Sequence, residues 1–367
     1  MIKETNSAKS LNVHKQSVRN GKIDLFRFLF SVAIAIFHFN CSVKYPNEIF
    51  SKAYIAVEFF FLVSGYLMAK SISKLDKQNN IDVVKESLTF MKNKYLSFFP
   101  YHIFIVVITV AAWIPYFNLS LTDWAVKVAN AIPAFLLLQM FGFNSADWLF
   151  PEWYLSAMII VMFILTPVMI KYRRIYSYYI APVVSLIAIS IVFKYKDTLD
   201  VTTAWNGFVC LGLLRAFGEI SLGFTIYAVA ESGIIEKFNK YFLLLTELIC
   251  YICIFIYMNK TLNPSIEISI LFLFIIAVTI SFSPKASCRF LNNKVIYFLG
   301  KISLPIYLCH SLVRYYITKN VWTHGGYASY LVFFLIITLV LSLICLLTVD
   351  GIKYLISKRK HIKETNI

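Results

Sequence analysis

Ten stretches of about 20 apolar residues dominate this chain, and each is long enough to fill the core of a bilayer. They run over roughly 23–40, 53–69, 97–117, 153–170, 176–193, 206–229, 241–258, 266–283, 295–317 and 329–350. In lipid no water satisfies a free backbone N–H or C=O, so a run of such segments implies helices packed on helices. Composition agrees: 59% of residues are hydrophobic and 15% charged, against about 45–50% and about 25% in soluble domains. A water-soluble globule, a disordered chain and a collagen-like fibre are excluded. Seven cysteines, an odd number at ordinary density, exclude a disulfide-stapled secreted scaffold. The expected fold is all-α, a polytopic membrane bundle of about ten helices. Residues 23–350 are expected to form one domain between basic tails at 1–22 and 351–367. An eleventh stretch, 125–143, contains Lys127, Asn130, Pro133 and Gln139, and reads as a short re-entrant or interfacial helix.

The 35 basic residues outnumber the 19 acidic ones, a formal net charge of +16. On a soluble protein that excess suggests nucleic acid. Here its distribution is the informative quantity. With ten spans and an inside N-terminus, 24 Lys and Arg residues fall on inside segments, seven on outside segments and four within spans. The positive-inside rule then places both termini in the cytoplasm, and no nucleic-acid partner is expected. The first span ends in Phe37-His38-Phe39-Asn40 with no small-residue cleavage site, so it is expected to act as an uncleaved insertion signal.

A charge in a bilayer costs several kcal/mol, so ionisable residues within spans mark candidate chemistry. Arg27 and His38 in the first span are 11 residues apart. At about 100° per residue they share one face, separated by about 16 Å along the axis. The plain alternative is that each snorkels to its nearer headgroup layer. In the ninth span His310 lies 15 residues beyond Val295, the same offset as His38 from Ile23, so two histidines reach similar depth. Pro305 removes one helical hydrogen bond there, and Ser303 and Tyr307 share a face.

The second span places Glu58 in its outer half. Its Ser64-Gly65 pair lets a helix, or a thin ligand, approach the backbone. Arg215 and Glu219 are four apart in the sixth span, and a mutual ion pair is their simplest explanation. Trp153 and Tyr154 suit an outer aromatic belt. Lys92 and Lys94 lead into the third span, where phosphate of a ligand or of anionic lipid is the expected contact. Cys250 and Cys253 have C-x-x-C spacing in mid-span with no second pair nearby, and read as packing, so no metal site is expected. The chain has no Walker loop, G-x-G-x-x-G, G-x-S-x-G or H-E-x-x-H.

Taken in order, these segments resemble the acyltransferase-3 family of integral membrane acyltransferases over roughly 21–350. The matching elements are Arg27 with His38, then Phe60-Phe61-Leu62-Val63-Ser64-Gly65-Tyr66, and the basic approach to Pro100. Trp153-Tyr154-Leu155-Ser156 follows, continued by Phe163 and Pro167, and then Gly300 through His310. The chain departs from the pattern at Leu304, where the family often has Tyr, and at Met158, where many members have Glu. Glu152 is the nearby acid. No appended extracytoplasmic hydrolase-like domain is expected.

The resemblance implies an O-acyltransferase of the bacterial cytoplasmic membrane. It would move an acyl group, acetyl the expected one, from cytoplasmic acyl-CoA to a sugar hydroxyl of a surface polysaccharide or its lipid-linked precursor. It implies acyl-CoA as donor substrate with no permanently bound cofactor, and lipid and carbohydrate as partners. His38 is then the candidate general base, its ordinary pKa of about 6.5 lying near working pH. Tyr307 and His310 would orient the acceptor or stabilise the thioester oxyanion. Arg27 would hold donor phosphate, helped by Lys92, Lys94 and Lys301, with the pantetheine arm passing Ser64 and Gly65. Glu58, Glu152, Trp153 and Arg215, toward the outer mouth, are the candidate acceptor contacts. The competing expectation is a secondary transporter or flippase for a glycan or small molecule, which commonly has two related halves; the sequence has no such internal symmetry. A lipid-linked sugar transferase or polymerase would want a larger outer loop than 118–152.

Overall fold

In a computed structural model the chain is described over residues 19–43, 49–77, 80–113, 119–142, 152–260, 262–320 and 326–365. Residues 1–18 of the expected basic tail, 114–117 of the third expected span and 143 of the expected re-entrant stretch lie outside the described residues. Eleven helices are described in chain order. They are α1 (Gly21–Val43), α2 (Val57–Ile72), α3 (Val83–Trp113), α4 (Leu121–Phe135), α5 (Trp153–Ile175) and α6 (Ala181–Lys196). After these come α7 (Leu211–Glu231), α8 (Lys240–Met258), α9 (Glu267–Phe282), α10 (Lys294–Asn320) and α11 (Tyr327–Thr365). The only sheet among the described residues is a short ladder pairing Trp205 with Cys210 and Asn206 with Val209. Residues 351–365, expected as a separate tail, continue α11 without a break.

Nine helical stretches among the described residues are long and apolar enough to cross a membrane. One of them, Trp153–Lys196, has 44 residues. Straight, it would measure about 66 Å, twice a hydrocarbon core. It is broken at Tyr172 (φ −128°, ψ 25°) and continues through a π turn at Tyr176–Ile180 into α6. Arg173, beside the break, pairs with Asp76 and, at 2.9 Å, with Glu231, which ties the bend to the ends of α2 and α7. Both far ends of the run return to one residue. The Arg215 guanidinium lies over the Trp153 ring at 5.7 Å and donates to the Val201 carbonyl, just beyond α6, at 3.4 Å. The run therefore crosses twice, and nine stretches make the ten crossings read from the sequence.

The α4 segment does not cross. Ser120 caps its start by accepting from the Asp123 amide at 3.1 Å. At its end the Phe135 carbonyl accepts from His102 Nε2 at 2.9 Å. Leu137 then turns the chain with φ 59°, and the Met140 amide donates to Ser156 Oγ at 3.2 Å, one turn into α5. A 15-residue helix spans about 22 Å, too little for the bilayer, and this one links α3 to α5 at one end of the bundle.

Packing runs mainly in pairs: α1 along α10, α2 along α7, α6 along α7, α8 along α9 and α11 along α10. Small residues set the closest approach, because association in lipid depends on close van der Waals fit. A Cβ placed on Gly65 would come within 2.9 Å of Gly223 Cα. Gly65 therefore serves the α2–α7 seam, which is the packing role, and does not offer its backbone to a ligand. Phe26 stacks on Tyr251 at 3.5 Å and Phe30 packs on Phe59 at 4.9 Å, joining α1 to α8 and α2. Ile249, Phe272 and Leu347 face outward, as lipid-facing positions do.

Polar clamps close the two ends. At the end that carries Arg173, Lys22 pairs with Glu247, which also accepts from Ser281 Oγ at 2.6 Å. At the opposite end the buried Glu267 carboxylate accepts from the Tyr257 hydroxyl at 2.8 Å, the Leu199 amide at 2.5 Å and Tyr54. A buried carboxylate with this many donors costs the fold little.

Candidate active site

Five helices enclose a cavity of about 190 Å³, a slot for a thin substrate arm and too small for a sugar polymer. α1 contributes Arg27 and Ser31, α2 Val57, Phe60, Val63 and Ser64, and α3 Lys94, Ser97 and Phe98. α5 contributes Tyr154, Leu155 and Met158, and α10 Gly300, Ser303, Leu304 and Tyr307. Arg27 and Lys94 are the cations of the wall. The acid nearest Arg27 is Asp24, at 3.9 Å, so a second anion can be taken up beside it. Ser31 lies four residues on, on the same face, and its hydroxyl has no hydrogen-bond partner among the described residues. Ser64 Oγ lies 3.4 Å from the Tyr154 hydroxyl and from Met158 Sδ. Met158 thus occupies the wall position where the resembling family often carries an acid.

The two histidines lie beyond this cavity and do not line it. The Tyr307 ring sits 5.8 Å from Tyr154 on the cavity side and 5.9 Å from His310 on the other. His310 in turn is 5.1 Å from His38, ring centre to ring centre. The equal offsets in spans one and nine do bring the pair together, since α1 runs along α10.

The backbone contacts favour one neutral tautomer for each ring. His38 Nδ1–H donates to the Ile34 carbonyl at 3.0 Å. His310 Nδ1–H donates to the Ile306 carbonyl at 3.3 Å. A carbonyl only accepts, so in each neutral ring Nε2 carries the lone pair. In that tautomer His38 Nε2 has the lone pair that accepts a proton. His310, fully buried, has an Nε2 with no hydrogen-bond partner among the described residues. In this neutral tautomer its Nε2 accepts and does not donate.

Glu58, Arg215 and Trp153, the expected acceptor contacts, are buried beside the cavity and not in its wall. Arg215 Nη2 donates to Glu58 Oε1 at 2.5 Å, and Nε donates to Glu219 Oε1 at 3.1 Å, with Trp153 covering the guanidinium. The ion pair with Glu219 has the expected i,i+4 geometry. Glu58 joins from α2 as a second acid, which sequence spacing does not reveal. This cluster binds α2, α5 and α7 together, and Glu219 Oε2 is its carboxylate oxygen with no hydrogen-bond partner among the described residues.

Glu152 is equally buried and is paired with a residue the sequence reading passed over. His102 Nδ1 lies 2.8 Å from Glu152 Oε2, while its Nε2–H donates to the Phe135 carbonyl. The imidazole thus meets the carboxyl group through Nδ1 and the end of α4 through Nε2. The pair fastens α3, the end of α4 and the start of α5, and so fixes Tyr154 in the cavity wall. Lys94 lines the cavity, Lys92 is exposed away from it, and Lys301 is held at 2.5 Å by Asp350 of α11.

The sequence matches the model of a family described as an acyltransferase domain over residues 20–347, which spans nearly every element named above. No curated protein matches. No solved structure matches.

Proposed function

The chain belongs to this acyltransferase family, and on that premise we propose that it transfers an acyl group, acetyl the expected one, from cytoplasmic acyl-CoA to a sugar hydroxyl of a bacterial surface glycan. The proposal places the Arg173 end in the cytoplasm, on the distribution of basic residues, and the protein in the bacterial cytoplasmic membrane. One observation carries it: a narrow slot lined by hydroxyl and apolar side chains begins at a cation, Arg27, and ends at a tyrosine backed by two imidazoles.

The steps follow from the groups present. Arg27 holds donor phosphate by charge-assisted hydrogen bonds. The pantetheine arm lies along Ser31 and Ser64 with the thioester toward Tyr307. His38 Nε2 takes the hydroxyl proton of the sugar, the oxygen attacks the thioester carbon and the C–S bond breaks. The leaving thiolate takes its proton from the His38 imidazolium, so the products are the sugar ester and the CoA thiol. Tyr307, whose ring lies between the cavity and His310, is the residue proposed to donate to the oxyanion. Holding both substrates in one geometry supplies much of the rate.

Purified chain given labelled acetyl-CoA and a glycan acceptor is expected to transfer the label with no ion gradient present. In the same assay Arg27→Ala is expected to raise donor KM by about tenfold or more, the worth of one hydrogen bond to a charged group. An unchanged donor KM contradicts the phosphate role. Label movement that requires a gradient contradicts the enzyme reading.

A further inference from the structure

A second, larger cavity of about 630 Å³ opens beyond Arg27 at the Arg173 end, and Arg27 stands in the wall of both. The ends of α1 and α2 and the connection from α9 to α10 enclose it. Six of its lining residues are basic (Arg19, Lys22, Arg27, Lys70, Lys74 and Arg289), against one acid, Asp24. Two of the six are engaged within the fold. Arg19 reaches both Asp24 oxygens, at 2.9 and 3.0 Å, and Lys22 pairs with Glu247. Lys70, Lys74 and Arg289 have no ion-pair partner among the described residues. With Arg27 they give four cations around one concave space. The lining also has an apolar part. Phe282, held by stacking on Tyr66 at 3.6 Å, and Leu67 supply it. Ser71 and Ser287 add hydroxyl donors.

We propose that this vestibule binds the 3′-phosphorylated nucleotide end of acyl-CoA, and that Lys70, Lys74 and Arg289 read its 3′-phosphate. The inference rests on the acyl-CoA reading above and assigns to this face what the sequence pointed to at Lys92 and Lys94. The nucleotide end carries three phosphate groups and one flat base, which match four cations and the apolar part of the lining. The pantetheine arm leaves it past Arg27 for the narrower cavity, so the two spaces divide the donor between them. An anionic lipid headgroup shares the phosphate chemistry but brings no base for Phe282 and has no use for a passage through Arg27.

The test uses the full chain in nanodiscs of phosphatidylcholine, with CoA and 3′-dephospho-CoA as probes. Wild type is expected to bind CoA at least about tenfold tighter than 3′-dephospho-CoA. Lys70→Ala/Lys74→Ala/Arg289→Ala is expected to bring the two affinities together, and Lys70→Arg/Lys74→Arg to keep them apart. All three side chains are exposed, so alanine leaves no cavity in the core. Equal affinity of wild type for the two probes overturns the proposal, and so does a triple variant that keeps the difference. Repeating the titration in phosphatidylglycerol nanodiscs separates the sources of phosphate. If the triple variant changes only association with that lipid and leaves CoA binding intact, the face is a lipid site and the proposal falls. Tenfold discrimination for CoA with no acyl transfer to any glycan supports the nucleotide site and contradicts the reading of function. Equal transfer from acetyl-CoA and acetyl-3′-dephospho-CoA, with equal affinities, contradicts the site and leaves that reading standing.

Discussion

His38→Ala is expected to lower kcat for acyl transfer by about 10²–10⁴-fold, the usual worth of a positioned general base, with donor KM close to wild type. His38 does not line the donor cavity, so its loss leaves donor binding intact. It is half-buried, and its ring hydrogen bond to Ile34 lies within its own helix, so the variant is expected to insert and fold. His38→Gln fills similar space without a base and is expected to be as inactive. Steady-state kinetics on purified variants reads both constants. A normal kcat in either variant removes His38 from the chemistry. A loss confined to donor KM makes it a binding residue. His310→Ala gives the internal comparison: its Nε2 faces inward beside His38, so it can share the abstracted proton without being the first acceptor.

Arg215→Ala is expected to have the largest effect on stability. It leaves Glu58 and Glu219 facing each other with no cation, both fully buried. Removing one partner of a buried ion cluster costs about 3–5 kcal/mol, a large share of the roughly 5–15 kcal/mol that typically separates folded from unfolded chains. Arg215→Lys is expected to recover only part, because one ammonium cannot reproduce the forked contacts of Nε and Nη2 to two carboxylates. Thermal unfolding in detergent measures the order: wild type highest, lysine variant next, alanine variant lowest. If the alanine variant unfolds with wild type and its acceptor KM alone rises, Arg215 is a substrate contact and the structural assignment is wrong.

What could be read from sequence depended on whether the relevant spacing lay within one helix. The ten apolar runs reported the crossings, and the break at Tyr172 explains why one continuous stretch of helix accounts for two of them. Arg27 and His38 share a face of α1, so periodicity found them, and it held the signal for Ser31, four residues beyond Arg27 in the same line. The equal depth of His38 and His310 was legible because both spans run the same way through the bundle. Contacts between distant segments were not legible. Glu58 meets Arg215 across 157 residues, and His102 is separated from Glu152 by the whole α4 segment. Gly65 was ambiguous for a different reason: a small residue permits close approach without saying whether a helix or a ligand makes it, and here α7 does.

Mass spectrometry of the surface glycan from cells with the intact chain, with His38→Ala and with no copy tests most directly whether this membrane bundle adds acyl groups to a cell-surface sugar. The predicted result is a glycan carrying acyl groups, acetyl the expected mass, only where the intact chain is present. Identical glycan masses in all three would contradict it.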